Sequence, residues 1–112
     1  YLGGAIMPGM EVSMEGLMRR AARLFMVEPV CPENVIGHNT QTALRSGMFF
    51  GYASMIDGMV ERFKKEVGED ARVIATGGVS LYLKGISRQI QIFDSELTIK
   101  GISYLYESIR KK

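Results

Sequence analysis

The stretch "RVIATGGVS", Arg72 to Ser80, is the one on which the fold turns. Arg72-Val73-Ile74-Ala75-Thr76 has the apolar, partly β-branched content of a buried parallel strand, and Gly77-Gly78 follow at its carboxyl end. In open α/β sheets ligands bind outside the carboxyl ends of strands, where glycines let a ligand approach the main chain. The segment that follows, Val79 to Lys84, has the content of a helix whose first amides would face a phosphate or a ribose. A strand, two glycines and a helix is also a common structural turn, so these residues alone leave both a nucleotide site and a plain turn open.

Working outward, a short strand is expected over Ile90 to Phe93, before "DSELTIKG". A last helix is expected from about Ile99 or Gly101 to Arg110, because Ile102, Leu105, Tyr106 and Ile109 recur at helical spacing. On the other side, Gly37-His38-Asn39-Thr40 precedes a long helical pattern that runs to about Val67 and is closed by Gly68, with Asn39 or Thr40 placed to act as the N-cap. Along this helix Ala43, Gly47, Gly51, Ser54 and Gly58 follow one another three or four residues apart and form a smooth stripe. A glycine inside a helix costs about 0.8–1 kcal/mol relative to alanine, so the stripe predicts that a second backbone packs closely there. That backbone belongs either to the same domain or to a second subunit, since a self-complementary face suits a twofold dimer.

Further toward the start, Pro29 and Pro32 hold the Phe25–Ile36 segment extended as a connection. Before it, Met10, Met14, Leu17, Met18 and Ala21 give the stripe of an amphipathic helix from about Met10 to Leu24. Glu11 and Glu15 near its start and Arg19, Arg20 and Arg23 near its end suit the helix dipole. "YLGGAIMPG" opens the chain and reads as a strand, with Pro8-Gly9 turning it. The predicted order is strand, helix, long helix, strand, short helix, strand, helix. Three short strands do not cover three substantial helices, so the pattern predicts further sheet from a preceding segment or another chain.

Composition bounds the partners. The 112 residues are 46% hydrophobic and 23% charged, as in ordinary globular domains. A net charge of +2, with basic and acidic residues interspersed, gives no nucleic-acid footprint. The least polar region, Met48 to Val60, is interrupted by Asp57 and glycines and falls short of the roughly 20 residues that span a bilayer, so no membrane partner is expected. One cysteine, Cys31, excludes an internal disulfide and points to a cytoplasmic setting. His38 is the sole histidine, which leaves no convincing His-based triad or metal site. Cys31, between Val30 and Pro32, reads as a packing residue, and the carboxylates read as solvated helix faces. Asp57 stands apart because it interrupts the apolar part of the long helix, where a buried, hydrogen-bonded acid would account for it.

The segments "YLGGAIMPG", "VIGHNTQTALRSG", "GYASMIDGMVER", "VIATGGVS" and "FDSELTIKG" resemble, in order and spacing, the C-terminal half of type III pantothenate kinases, also called the Bvg accessory factor family. The likeness covers essentially the whole chain. It implies an α/β fold: the C-terminal lobe of an actin-, Hsp70- and sugar-kinase-like (ribonuclease H-like) ATPase, with a long dimerisation helix. It also implies transfer of the ATP γ-phosphate to pantothenate, the first step of coenzyme A synthesis, with Mg²⁺ and a monovalent cation (K⁺ or NH₄⁺) bound mainly through the N-terminal half. By the resemblance, Thr40 contacts pantothenate, while Thr76, Gly77 and Gly78 match the adenosine motif. Gly3 and Gly4 match the glycines that enter the active-site region, and the Ala43–Gly58 stripe is the homodimer face. Position 38, frequently lysine in relatives, is His38 here, which puts a charge role at that point in doubt.

Family members also carry, N-terminal to this segment, a D-x-G-N-T loop, a G-x-D-R motif with the catalytic base and a D-x-G-T-A loop, none of which occurs in these residues. The expectation is therefore a single lobe, residues 1–112, with no catalytic residue of its own, inactive alone and supporting a kinase in the full-length protein. The alternatives are a nucleotide- or ligand-sensing regulator of the same fold that has lost catalysis, and a purely structural dimerisation module.

Overall fold

The computed structural model describes residues 1–21 and 26–112. The chain divides into two compact units, Tyr1–Tyr52 and Ala53–Lys112.

In the first unit, Tyr1 to Gly9 form no strand, and Tyr1, Leu2 and Ile6 are exposed. The apolar content at this point favours an extended chain, but a strand also needs a neighbour to take its amides and carbonyls, and this segment has no ladder. Helix α1, Met10–Arg20, follows. The helix stops at Arg20, where Ala21 turns extended, short of the expected end at Leu24; residues 22–25 lie outside the described residues. Only the Met10 and Met14 end of the predicted stripe is buried, whereas Leu17 is exposed. Among the described residues of the unit the other buried apolar side chains are Val27, Leu44, Met48 and Phe49. Phe49 is 2% exposed, and full burial of such a side chain contributes about 1.5–3 kcal/mol.

Helix α2, Thr40–Ser46, begins at Asn39. The Asn39 side chain accepts from the Thr42 amide at 2.8 Å, and the Asn39 amide donates to the Thr42 hydroxyl at 3.2 Å, closing a reciprocal cap in which Thr42 takes the place more often held by Glu or Gln. The loop before α2 is fastened to it by Ser46 Oγ, which donates to the Val35 carbonyl, and by Arg45 Nε, which donates to the Glu28 carbonyl at 3.0 Å. A Cβ built on Gly37 would lie 2.3 Å from the Ala43 nitrogen, so only glycine lets this loop pass so close to the helix backbone. The helical run continues through a π-helical segment, Gly47–Gly51, and α3, Tyr52–Val67, giving the long helix over the predicted range. The Tyr52 hydroxyl donates to the Gly9 carbonyl at 2.8 Å, at the N-cap of α1.

In the second unit, β1, Ile74–Ala75, pairs in parallel with β2, Ile92–Phe93, as Ile74 with Ile92 and Ala75 with Phe93. Among the described residues this is the only sheet, and both strands are shorter than the expected Arg72–Thr76 and Ile90–Phe93. Each can extend only as far as its one partner supplies ladder bonds. Between them a 3₁₀ segment, Gly78–Leu83, takes the place of the predicted short helix. Helix α4, Leu97–Arg110, starts earlier than its apolar spacing suggests because Asp94 organises the turn ahead of it. Asp94 accepts from the Glu96 amide at 2.9 Å and from Lys100 Nζ at 2.8 Å. The chain is thus a helix-rich α/β piece with little sheet. No helix among the described residues is long and apolar enough to cross a membrane.

Candidate functional site

The carboxyl end of β1 leads into Thr76, Gly77 and Gly78, all exposed. Gly77 has φ +97° and ψ 154°, a backbone conformation that side chains rarely adopt, and a Cβ at Gly77 or at Gly78 would meet no atom within 4 Å. The turn therefore offers bare main chain with open space before it. It is shaped from behind by Ser80, whose amide and hydroxyl donate to the Gly77 carbonyl at 3.2 and 2.5 Å.

A second set of contacts holds the loop that returns to β2. The Asp57 carboxylate on α3 accepts from the Ser87 hydroxyl at 2.6 Å, the Arg88 amide at 2.9 Å and the Gln89 amide at 3.1 Å. Partial burial pushes this carboxyl up, but these hydrogen bonds, with the Arg88 charge nearby, outweigh it and hold the group below the usual carboxylate value of 3.8. Beside it lies an open depression of about 380 Å³ lined by Ser54, Gly58, Glu61, Arg88 and Gln89. The sequence singled out Asp57 by its place in an apolar stretch; its partners, some thirty residues on, carry no mark in the pattern.

In the first unit, Thr40 is the first residue of α2 and is exposed. The cap is filled by Asn39 with Thr42, so the Thr40 hydroxyl is not used for it. Just beside it, Cys31, Glu33, His38, Asn39, Thr42 and Arg45 contribute to the lining of a depression of about 350 Å³. Gly3 and Gly4 lie in the exposed, unpaired opening segment. The candidate residues thus fall in two places: Gly3, Gly4 and Thr40 in the first unit, and Thr76, Gly77 and Gly78 in one turn of the second.

No group of three or more His, Cys, Asp or Glu side chains stands together to hold a metal ion among the described residues. The described residues thus offer no carboxylate or imidazole cluster for Mg²⁺, an ion that the resemblance assigns mainly to the N-terminal half. The family model for type III pantothenate kinase matches residues 1–62, more than half of the chain.

Proposed function

The chain belongs to the type III pantothenate kinase family, and on that premise we propose that it supplies the C-terminal lobe of an actin-like ATPase fold to a cytoplasmic enzyme that phosphorylates pantothenate. The observation that carries this reading is the family match over residues 1–62, the part of the chain that holds Thr40. ATP supplies the γ-phosphoryl group, and the acceptor is the pantothenate hydroxyl. This lobe's part is to bind and orient, and the base and the metal ligands belong to the rest of the full-length protein. Thr40 contacts pantothenate, a role favoured by a hydroxyl left free of capping duty at a helix start. Thr76, Gly77 and Gly78 lie against the adenosine, whose flat faces suit the bare backbone of Gly77 and Gly78. Gly3 and Gly4 border the active-site region.

The homodimer belongs to the same proposal. Ala43, Gly47, Gly51 and Ser54 are exposed, and a Cβ at Gly47, Gly51 or Gly58 would meet no atom within 4 Å. A face kept this smooth and left uncovered is suited to the same face of a second copy. The alternative of a ligand-sensing regulator has no supporting observation.

The assignment of the two binding positions is tested by KM values in the full-length protein. Thr40→Val should raise the KM for pantothenate about tenfold, the worth of one hydrogen bond, with the KM for ATP little changed. Gly78→Val should do the reverse. If each variant moves both constants equally, or neither, the assignment is wrong.

A further inference from the structure

The Asp57 contacts reach further than the loop they touch. A carboxylate in an apolar helical stretch directs its acceptor capacity at one short segment: the Ser87 hydroxyl and the Arg88 and Gln89 amides. Ser87 is in turn fixed on both sides, its hydroxyl accepting from the Ile90 amide at 3.2 Å and its amide donating to the Leu83 carbonyl at 3.0 Å. Leu83 is the buried end of the 3₁₀ segment, 4% exposed, and the start of that segment is closed by the Ser80 bonds to the Gly77 carbonyl. On the other flank, the Gln91 and Ile92 amides donate to the Val73 carbonyl and the Asp94 amide donates to the Ala75 carbonyl. The Gln91 side chain closes the pair by accepting from the Val73 amide at 2.9 Å. Both ends of the turn holding Thr76, Gly77 and Gly78 are therefore tied to the loop that Asp57 grips, while Gly77 and Gly78 have no side chains with which to fix themselves. A site that binds through bare backbone depends on such outside support for its placement.

We propose that Asp57 is a positioning residue for the nucleotide: from α3 it anchors Ser87, Arg88 and Gln89, and through them holds the Thr76-Gly77-Gly78 turn in the form that receives the adenosine. The proposal rests on the nucleotide reading of that turn given above. Asp57→Asn keeps the size of the side chain but replaces one acceptor oxygen with an amino group facing the loop's own donors.

The test is steady-state kinetics of the full-length kinase with ATP and pantothenate varied separately. Asp57→Asn should raise the KM for ATP on the order of tenfold, equivalent to one charge-assisted hydrogen bond, and leave the KM for pantothenate within about twofold. Asp57→Glu, which keeps the charge, should recover most of the loss. If Asp57→Asn does not fold, Ser87→Ala carries the same comparison, with an expected rise of about threefold for ATP alone. Equal rises in both constants, or no change for ATP, would overturn the proposal while leaving the nucleotide site intact if Gly78→Val still raises the KM for ATP. An unchanged ATP constant in Gly78→Val would remove the nucleotide reading and this proposal with it.

Discussion

Gly37 and Asp57 show how much single positions contribute here. A methyl group at Gly37 would lie 2.3 Å from the nitrogen and 2.4 Å from the Cα of Ala43, and backbone cannot swing aside as a side-chain tip can. Gly37→Ala should therefore cost about 2 kcal/mol, read as a lower denaturation midpoint at unchanged slope. For Asp57 the effect is one of pH. Its carboxyl is held below the ordinary 3.8 in the folded chain, so over the interval below 3.8 the unfolded chain binds the proton first. The stability it contributes is complete above that value and is lost as the pH falls through the lower, folded value. The charged neighbours are Arg88 in the loop, Glu61 in the same depression, and Lys64, which donates to the Gln89 side chain at 3.2 Å. Thermal melts taken between about pH 5 and pH 3 should fall more steeply for the parent protein than for Asp57→Asn, and parallel curves would contradict this. Asp57 was visible in the sequence as an acid out of place. Gly37 was visible only as part of a motif, because a close approach between a loop and a helix six residues on leaves no periodic trace.

Among the elements, the helices were legible and the strands much less so. A 3.6-residue stripe is a property of the helix itself, which is why apolar spacing finds α1, the long helical run and α4, although α1 stops at Arg20 and α4 begins at Leu97, ahead of its apolar stripe. What the stripe does not contain is the surface that meets it: Ile102, Leu105, Tyr106 and Ile109 mark the apolar face of α4, yet all are exposed. A strand is half of a pair, so the β-branched content of Val73-Ile74 predicts an extended chain without predicting its length, which the β2 partner limits to Ile74–Ala75. The π-helical turn at Gly47–Gly51 has no periodic signature either. It bears on the small-residue stripe, because steps of four overshoot an α-turn of about 3.6 residues and a wider turn brings Gly47 and Gly51 back toward one face. Filling that face with a large side chain should then harm association more than folding. Gly58→Leu should shift the full-length protein from dimer toward monomer in sedimentation velocity while its far-ultraviolet circular dichroism stays unchanged; a dimer that persists would place the subunit contact elsewhere.

For the molecule as a whole, the family was legible because several short segments stand in one order, each weak alone, and the match over residues 1–62 agrees with that reading. The arrangement of the site was not. Thr40 and the Thr76–Gly78 turn belong to different compact units, and local spacing reports nothing about residues so far apart in sequence. In the proposed function this lobe binds and orients through Thr40 and the Thr76–Gly78 backbone; among the described residues no group of three or more His, Cys, Asp or Glu stands together. The most direct test of the account is ADP release by the full-length protein, measured with ATP, Mg²⁺ and K⁺ in the presence and absence of pantothenate. The account predicts ADP formation that depends on pantothenate and saturates with it; ADP release that pantothenate does not change, or none at all, would contradict it.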